Sequence, residues 1–229
     1  MSHQRYFNFP VCLLKDFLTD SKTALINICN YSVYAYSLLQ AEEDEVFNIM
    51  HALDFFDIDC DYPERSLSRG EAIYDKVEFH APKVGLNVDI FWDFYKNEKT
   101  EFEKICLLAF LGIKSILGNK AYCKTDNKYL LSRMNGSAGS HDRELLSELL
   151  KKYANEYQLK KIKNELSQHW GLKTYSRYTR GFYVSFSYSL EELMYEAEKN
   201  RKRRKMKLQK QEEKQLLDKV LKKLESQGY

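Results

Sequence analysis

The sequence predicts a mainly α-helical protein with a small β-hairpin, and three observations predict it. Only nine glycines and three prolines punctuate 229 residues, too few for a loop-rich sandwich. Apolar residues recur at three- and four-residue spacing as far as Trp170. Beyond Gly171 that period falls to two. With 44% hydrophobic and 30% charged residues the chain can bury a core, which excludes disordered and collagen-like classes.

Pro10 suits the first turn of a short helix through Leu18, where its missing N–H is no loss. Asp20 or Ser21 caps a helix over about 22–39 that carries Leu25, Ile28, Ser32 and Tyr36 on one side. Glu42, Glu43, Asp44 and Glu45 fill the first turn of the next helix, facing the positive end of its dipole. Val46, Ile49, Met50, Leu53 and Phe56 follow at helical spacing. Residues 57–67 read as a loop around Pro63, and Ser68 with Glu71 forms a capping box for a short helix. Pro82 and Gly85 break the chain again. Val88, Phe91, Trp92 and Tyr95 form one more helical stripe. Thr100 with Glu103 then opens a long apolar helix that ends at Gly118. The front half therefore reads as a helical bundle.

After Gly118, Ala121–Lys124 reads as a short strand, and Thr125 caps a helix with Leu130, Leu131 and Met134 inward. Residues 135–140 (Asn-Gly-Ser-Ala-Gly-Ser) form a loop. A helix over 143–154 meets another over 157–170 at Asn155-Glu156, with Leu159, Ile162, Leu166 and Trp170 of the second facing inward. Gly171 stops it. Lys173–Thr179 and Phe182–Tyr188 pair across Arg180-Gly181, with Phe182, Val184, Phe186 and Tyr188 on one apolar face. Ser189 caps a final helix of about 40 residues that runs into the charged tail.

Charge is unevenly distributed. Residues 1–117 carry 11 basic and 19 acidic side chains, a net −8. Residues 118–198 are +3, and residues 199–229 carry 12 basic against 4 acidic, a net +8. Such asymmetry suits a chain that meets a polyanion with one end. A solvated terminal helix attracted to the acidic half also accounts for it.

Helix, short turn, helix and antiparallel hairpin over about residues 101–190 resemble the winged helix-turn-helix DNA-binding domains. The resemblance implies a second helix in the major groove and a hairpin wing against the backbone or minor groove. On the helix over 157–170, Lys160, Lys161, Lys163, Asn164, Ser167 and Gln168 lie opposite the apolar stripe. Lysines suit phosphates, and Asn and Gln suit adenine edges. Arg177 and Arg180 sit near the wing tip among Tyr175 and Tyr178, where arginine suits a narrow minor groove. The connection after the helix over 126–134 is long for a compact three-helix unit, so a pairing of 126–134 with 144–154 stays open. Arg201, Lys202, Arg203, Arg204 and Lys205 distribute around all faces of the tail helix, able to meet several phosphates. Leu217, Val220, Leu221 and Leu224 form a stripe for a protein partner or for self-association.

The expected division is an acidic helical domain over 1–100, a winged-helix-like domain over 101–190 and a basic helical extension over 191–229. The expected partner is duplex DNA, in a regulatory or replicative role. A protein-interaction or structural module is the alternative, followed by an RNA-binding protein stacking bases on Tyr175 and Tyr183. The Lys-, Asn- and Tyr-rich composition points to an AT-rich bacterial or viral (phage) genome.

Enzymatic signatures fail at named positions. Gly118–Thr125 approaches a P-loop but has Cys123 where glycine must let backbone N–H groups reach phosphate. Asp57, Asp59 and Asp61 begin like a calcium loop, yet Tyr62 replaces the required glycine and Ser68 the bidentate glutamate. His3, His51, His80, His141 and His169 lack metal-ligand spacing. No catalytic, cofactor-binding or metal-ligating residue is predicted, and the chain is expected not to be an enzyme. The apolar run Leu107–Ile113 is too short for a membrane helix of about 20 residues. The N-terminus lacks the basic flank and apolar core of a secretory signal. Cys12, Cys29, Cys60, Cys106 and Cys123 are odd in number and scattered, as expected of reduced thiols in the cytoplasm.

Overall fold

Alternation rather than helical periodicity organises Tyr6–Pro10. In a computed structural model, which describes residues 4–40, 44–59, 63–77, 80–140, 143–177 and 181–226, strand β1 (Tyr6–Pro10) runs antiparallel to β2 (Lys83–Asn87). Successive strand residues face opposite sides, so Phe7, Phe9, Val84 and Leu86 enter the core together. Phe7 stacks on Phe56 at 4.5 Å and meets Phe91 at 4.3 Å. The front half is therefore not purely helical. Pro10 ends a strand, and only a 3₁₀ turn over Val11–Leu14 follows it, not a helix through Leu18.

Helix α1 (Ser21–Ser37) is capped by Asp20, whose carboxylate accepts the Thr23 N–H at 3.0 Å. Asp44 caps α2 (Glu45–Phe55) in the same way. Helix α3 (Pro63–Tyr74) begins at its proline, so Ser68 lies inside the helix and not at its cap. The correction is physical: proline at the first helical position sacrifices no hydrogen bond and presets φ. Asn87 ends β2 and caps α4 (Val88–Lys96).

Helix α5 (Glu101–Leu117) is the axle of the molecule. Its capping box is complete, with the Glu103 N–H donating to Thr100 Oγ1 at 3.2 Å and the Thr100 N–H to Glu103 Oε2 at 2.8 Å. Nine of its 17 residues are buried, among them Ile105, Leu108 and Ile113. It packs against β2 and against two later helices, over Asn127–Met134 and Glu156–His169. The buried core runs without interruption from Phe7 to Val184.

The second sheet has strand order β3-β5-β4, all antiparallel, from β3 (Cys123–Thr125), β4 (Lys173–Tyr175) and β5 (Phe182–Ser185). Thr125 belongs to β3, and Asp126 caps α6 (Asn127–Met134) instead. The helix expected over 143–154 divides into a 3₁₀ turn (Arg143–Leu145) and α7 (Glu148–Tyr153), because Ser147 starts a new cap. Asn155 caps α8 (Glu156–His169), which Gly171 follows at φ +73°.

Ser189 and Glu192 form a capping box that opens α9 (Leu190–Ser226). At 1.5 Å per residue its 37 residues span about 55 Å. Leu193 and Ala197 bury its beginning against β4 and β5. From Arg201 onward every described side chain is exposed. The protein is thus mainly α, with two small antiparallel sheets. Among the described residues no helix is long and apolar enough to cross a membrane.

Candidate nucleic-acid interface

Leu159, Ile162 and Leu166 seat α8 in the core, against α5 and β4. The opposite side is open: Lys160, Lys161, Asn164, Ser167 and Gln168 are all exposed. Tyr157, which sequence reasoning missed, continues this stripe one turn earlier and is 75% exposed. The signal for it is its position three residues before Lys160 and seven before Asn164, on the same helical face. The stripe thus offers two cations, two amides, a hydroxyl and an aromatic ring along about three turns.

The lysines do not act alike. The Lys161 ammonium lies 4.4 Å from the centre of the Phe102 ring while its side chain stays exposed. Lys163 turns inward: it is half-buried, 4.3 Å over the Phe182 ring, and donates to Asn127 Oδ1 at 3.4 Å. Burial lowers its pKa below the usual lysine value. Lys163 therefore stands apart from the open stripe and braces α8 against β5.

The β4–β5 hairpin is fastened to α9. Glu198 accepts a 2.9 Å hydrogen bond from the Tyr175 hydroxyl and lies 3.9 Å from Arg177 and 3.7 Å from Arg201. Two of the arginines assigned to the interface thus share one carboxylate. Tyr175 and Tyr183 are both half-buried, so neither presents the open ring that base stacking needs. Gly181 (φ +89°) presses the turn so closely on the Thr125 carbonyl that no side chain fits there. Arg180 and Tyr178 lie outside the described residues. In the tail, Arg201, Lys202, Arg203, Arg204 and Lys205 are exposed, as are Leu217 (62%) and Leu221 (49%). The side chains of Val220 and Leu224 lie outside the described part.

The near-motifs resolve into structural roles. Gly118 is the C-cap of α5 and Lys124 lies in β3, so Gly118–Thr125 joins a helix to a strand. Asp57 pairs with Arg5, which also donates to the Phe55 carbonyl at 2.7 Å. Of the thiols, Cys106 is buried within α5 and pushed up to about 12 by desolvation, while Cys12 is exposed. Comparison with protein-family models, with curated proteins and with solved structures gave no match for this chain.

Proposed function

We propose that the protein binds duplex DNA, in a regulatory or replicative role, through a winged-helix-like unit built on α5, β3, α7, α8, β4 and β5. The observation that carries the reading is the open stripe of α8. It places Lys160 for phosphate beside Asn164 and Gln168, whose amides match an adenine edge. The strand order β3-β5-β4 supports it by setting the β4–β5 hairpin beside α8, where a wing would lie. Only Ala154 and Asn155 separate α7 from α8, a short turn that suits the pair of helices in this reading. Arg201–Lys205 add sequence-independent attraction. The role is binding rather than catalysis, and a cytoplasmic setting agrees with the buried reduced thiol of Cys106.

Fluorescence anisotropy with duplex DNA across a salt series tests the proposal. Affinity should fall steeply with salt, and Lys160→Glu with Asn164→Ala should remove most of it. Unchanged affinity in that double variant would overturn the reading. The exposed Leu216, Leu217 and Leu221 favour a second reading, a helix that docks on a protein. A sedimenting mass above that of one chain, lost on Leu217→Glu, would support it.

A further inference from the structure

Although residues 1–117 are net negative, the outer face of the β1–β2 sheet and its two flanking grooves are lined without a carboxylate among the described residues. The register places Tyr6 opposite Asn87 and Asn8 opposite Gly85, all on the side away from Phe7 and Leu86. Tyr6 is 39% exposed, and its hydroxyl donates to Gln4 Oε1 at 2.5 Å, which fixes the ring. One groove, of about 550 Å³, lies between this face and the end of α5 and brings Lys83, Asn87, Lys114 and Asn119 around Tyr6. The other, of about 420 Å³, shares Tyr6, Asn8 and Lys83 and runs along α1. Tyr6, Asn8 and Lys83 thus form a ridge between two concavities. Asp57 and Asp89 both act on Arg5, and Asp57 is taken up in an ion pair with it.

We propose that this face is a second binding site, for single-stranded nucleic acid. An unpaired base stacks on Tyr6, as every base has a ring face to offer. The amides of Asn8 and Asn119 each carry a donor and an acceptor for its exposed edge, while Asn87, whose Oδ1 accepts the Asp89 and Ile90 N–H groups, adds only its amide donors. Lys83 and Lys114 hold the neighbouring phosphates. Gly85 keeps the floor level, since a Cβ there would lie 2.9 Å from Asn8 Oδ1 and 3.5 Å from the Tyr6 Cβ. The site is tied to the rest of the molecule through Phe110, which lines the groove and packs 4.8 Å from Trp170 at the end of α8. An apolar ligand would leave these amides unpaired, and a small anion would leave the ring and the groove length unused. The inference goes beyond the duplex reading and stands without it.

A short oligothymidylate carrying 5-iodouracil, photocrosslinked to the full chain and mapped after trypsin digestion, tests it. The expected adduct is on the peptide Tyr6–Lys15. In anisotropy, Tyr6→Leu and Lys83→Glu should each weaken the single strand at least about fivefold and leave duplex affinity unchanged. Both side chains are exposed, so far-ultraviolet circular dichroism should stay that of the parent. Lys160→Glu should do the reverse, weakening duplex alone. Adducts confined to α8 or the tail, single-strand affinity unchanged in both groove variants, or no binding of the oligothymidylate would each overturn the site. If the Tyr6–Lys15 adduct forms while duplex binding ignores Lys160, the duplex reading falls and this one remains.

Discussion

The Tyr175 hydroxyl donates a 2.9 Å hydrogen bond to the Glu198 carboxylate, joining β4 to the start of α9. Ionising the phenol would set two negative charges against each other, so that hydrogen bond raises the Tyr175 pKa, with burial adding to it. Arg177 and Arg201 gather around the same carboxylate. The β4–β5 hairpin and the basic helix therefore share an anchor. A partner anion that draws Arg177 or Arg201 away must compete with Glu198.

Glu198→Gln should bring the Tyr175 titration back toward that of an ordinary tyrosine, followed by its ring resonances in NMR against pH. Amide exchange in β4 should quicken in the same variant, since the strand loses a charged tether. A Tyr175 titration unaltered by the substitution would deny the hydrogen bond.

Lys163→Met should leave duplex affinity nearly unchanged, whereas Lys160→Glu should lower it. The substitution also has a pH signature. The folded-state pKa of Lys163 lies below 10.5, so the unfolded chain holds that proton more tightly. Stability therefore gains an increment as pH rises through the interval just below 10.5. Urea titrations across that interval should show the gain in the parent and not in Lys163→Met.

Phe7→Ala should cost about 3–5 kcal/mol in urea denaturation, as expected for a large ring removed from a filled core. The ring lies between Phe56 and Phe91 and is fully buried. A cost near zero would mean that β1 is not part of the folded core.

Truncation after Asn200 should leave the melting temperature unchanged, because Leu193, Ala197 and the 2.6 Å bond from Asn200 to the Tyr122 hydroxyl are all retained. Duplex affinity should depend less on salt, with the slope falling by about 0.9 for each phosphate that the missing cations no longer neutralise. Cutting before Glu198 should instead lower the melting temperature.

The parts that were legible in the sequence are those whose cause is local. The Thr100–Glu103 box, the stop at Gly118 and the start at Ser189 each depend on side chains within one turn of the backbone they satisfy. Strands β1 and β2 were missed because each is five residues long and their pairing joins positions as far apart as Phe7 and Leu86. The alternation Tyr6-Phe-Asn-Phe was present, but nothing nearby announced its partner. Ser185, which alternates with the expected apolar face of Val184 and Phe186, is nonetheless fully buried and donates to the Ala121 carbonyl 64 positions away at 2.7 Å. Lys163 was legible in principle. It stands four residues after Leu159 and three before Leu166, on the flank of the inward stripe.

Helix α9 has one more consequence. Successive residues turn by about 100°, so the five cations from Arg201 to Lys205 sweep past a full circle. This stretch is a charged cylinder without a front or a back. On the duplex-binding proposal it would roll on a phosphate lattice without losing its grip, with no angular register to set before it engages. On that proposal discrimination would come from the folded head, while the rod would keep that head near its target and leave it room to search.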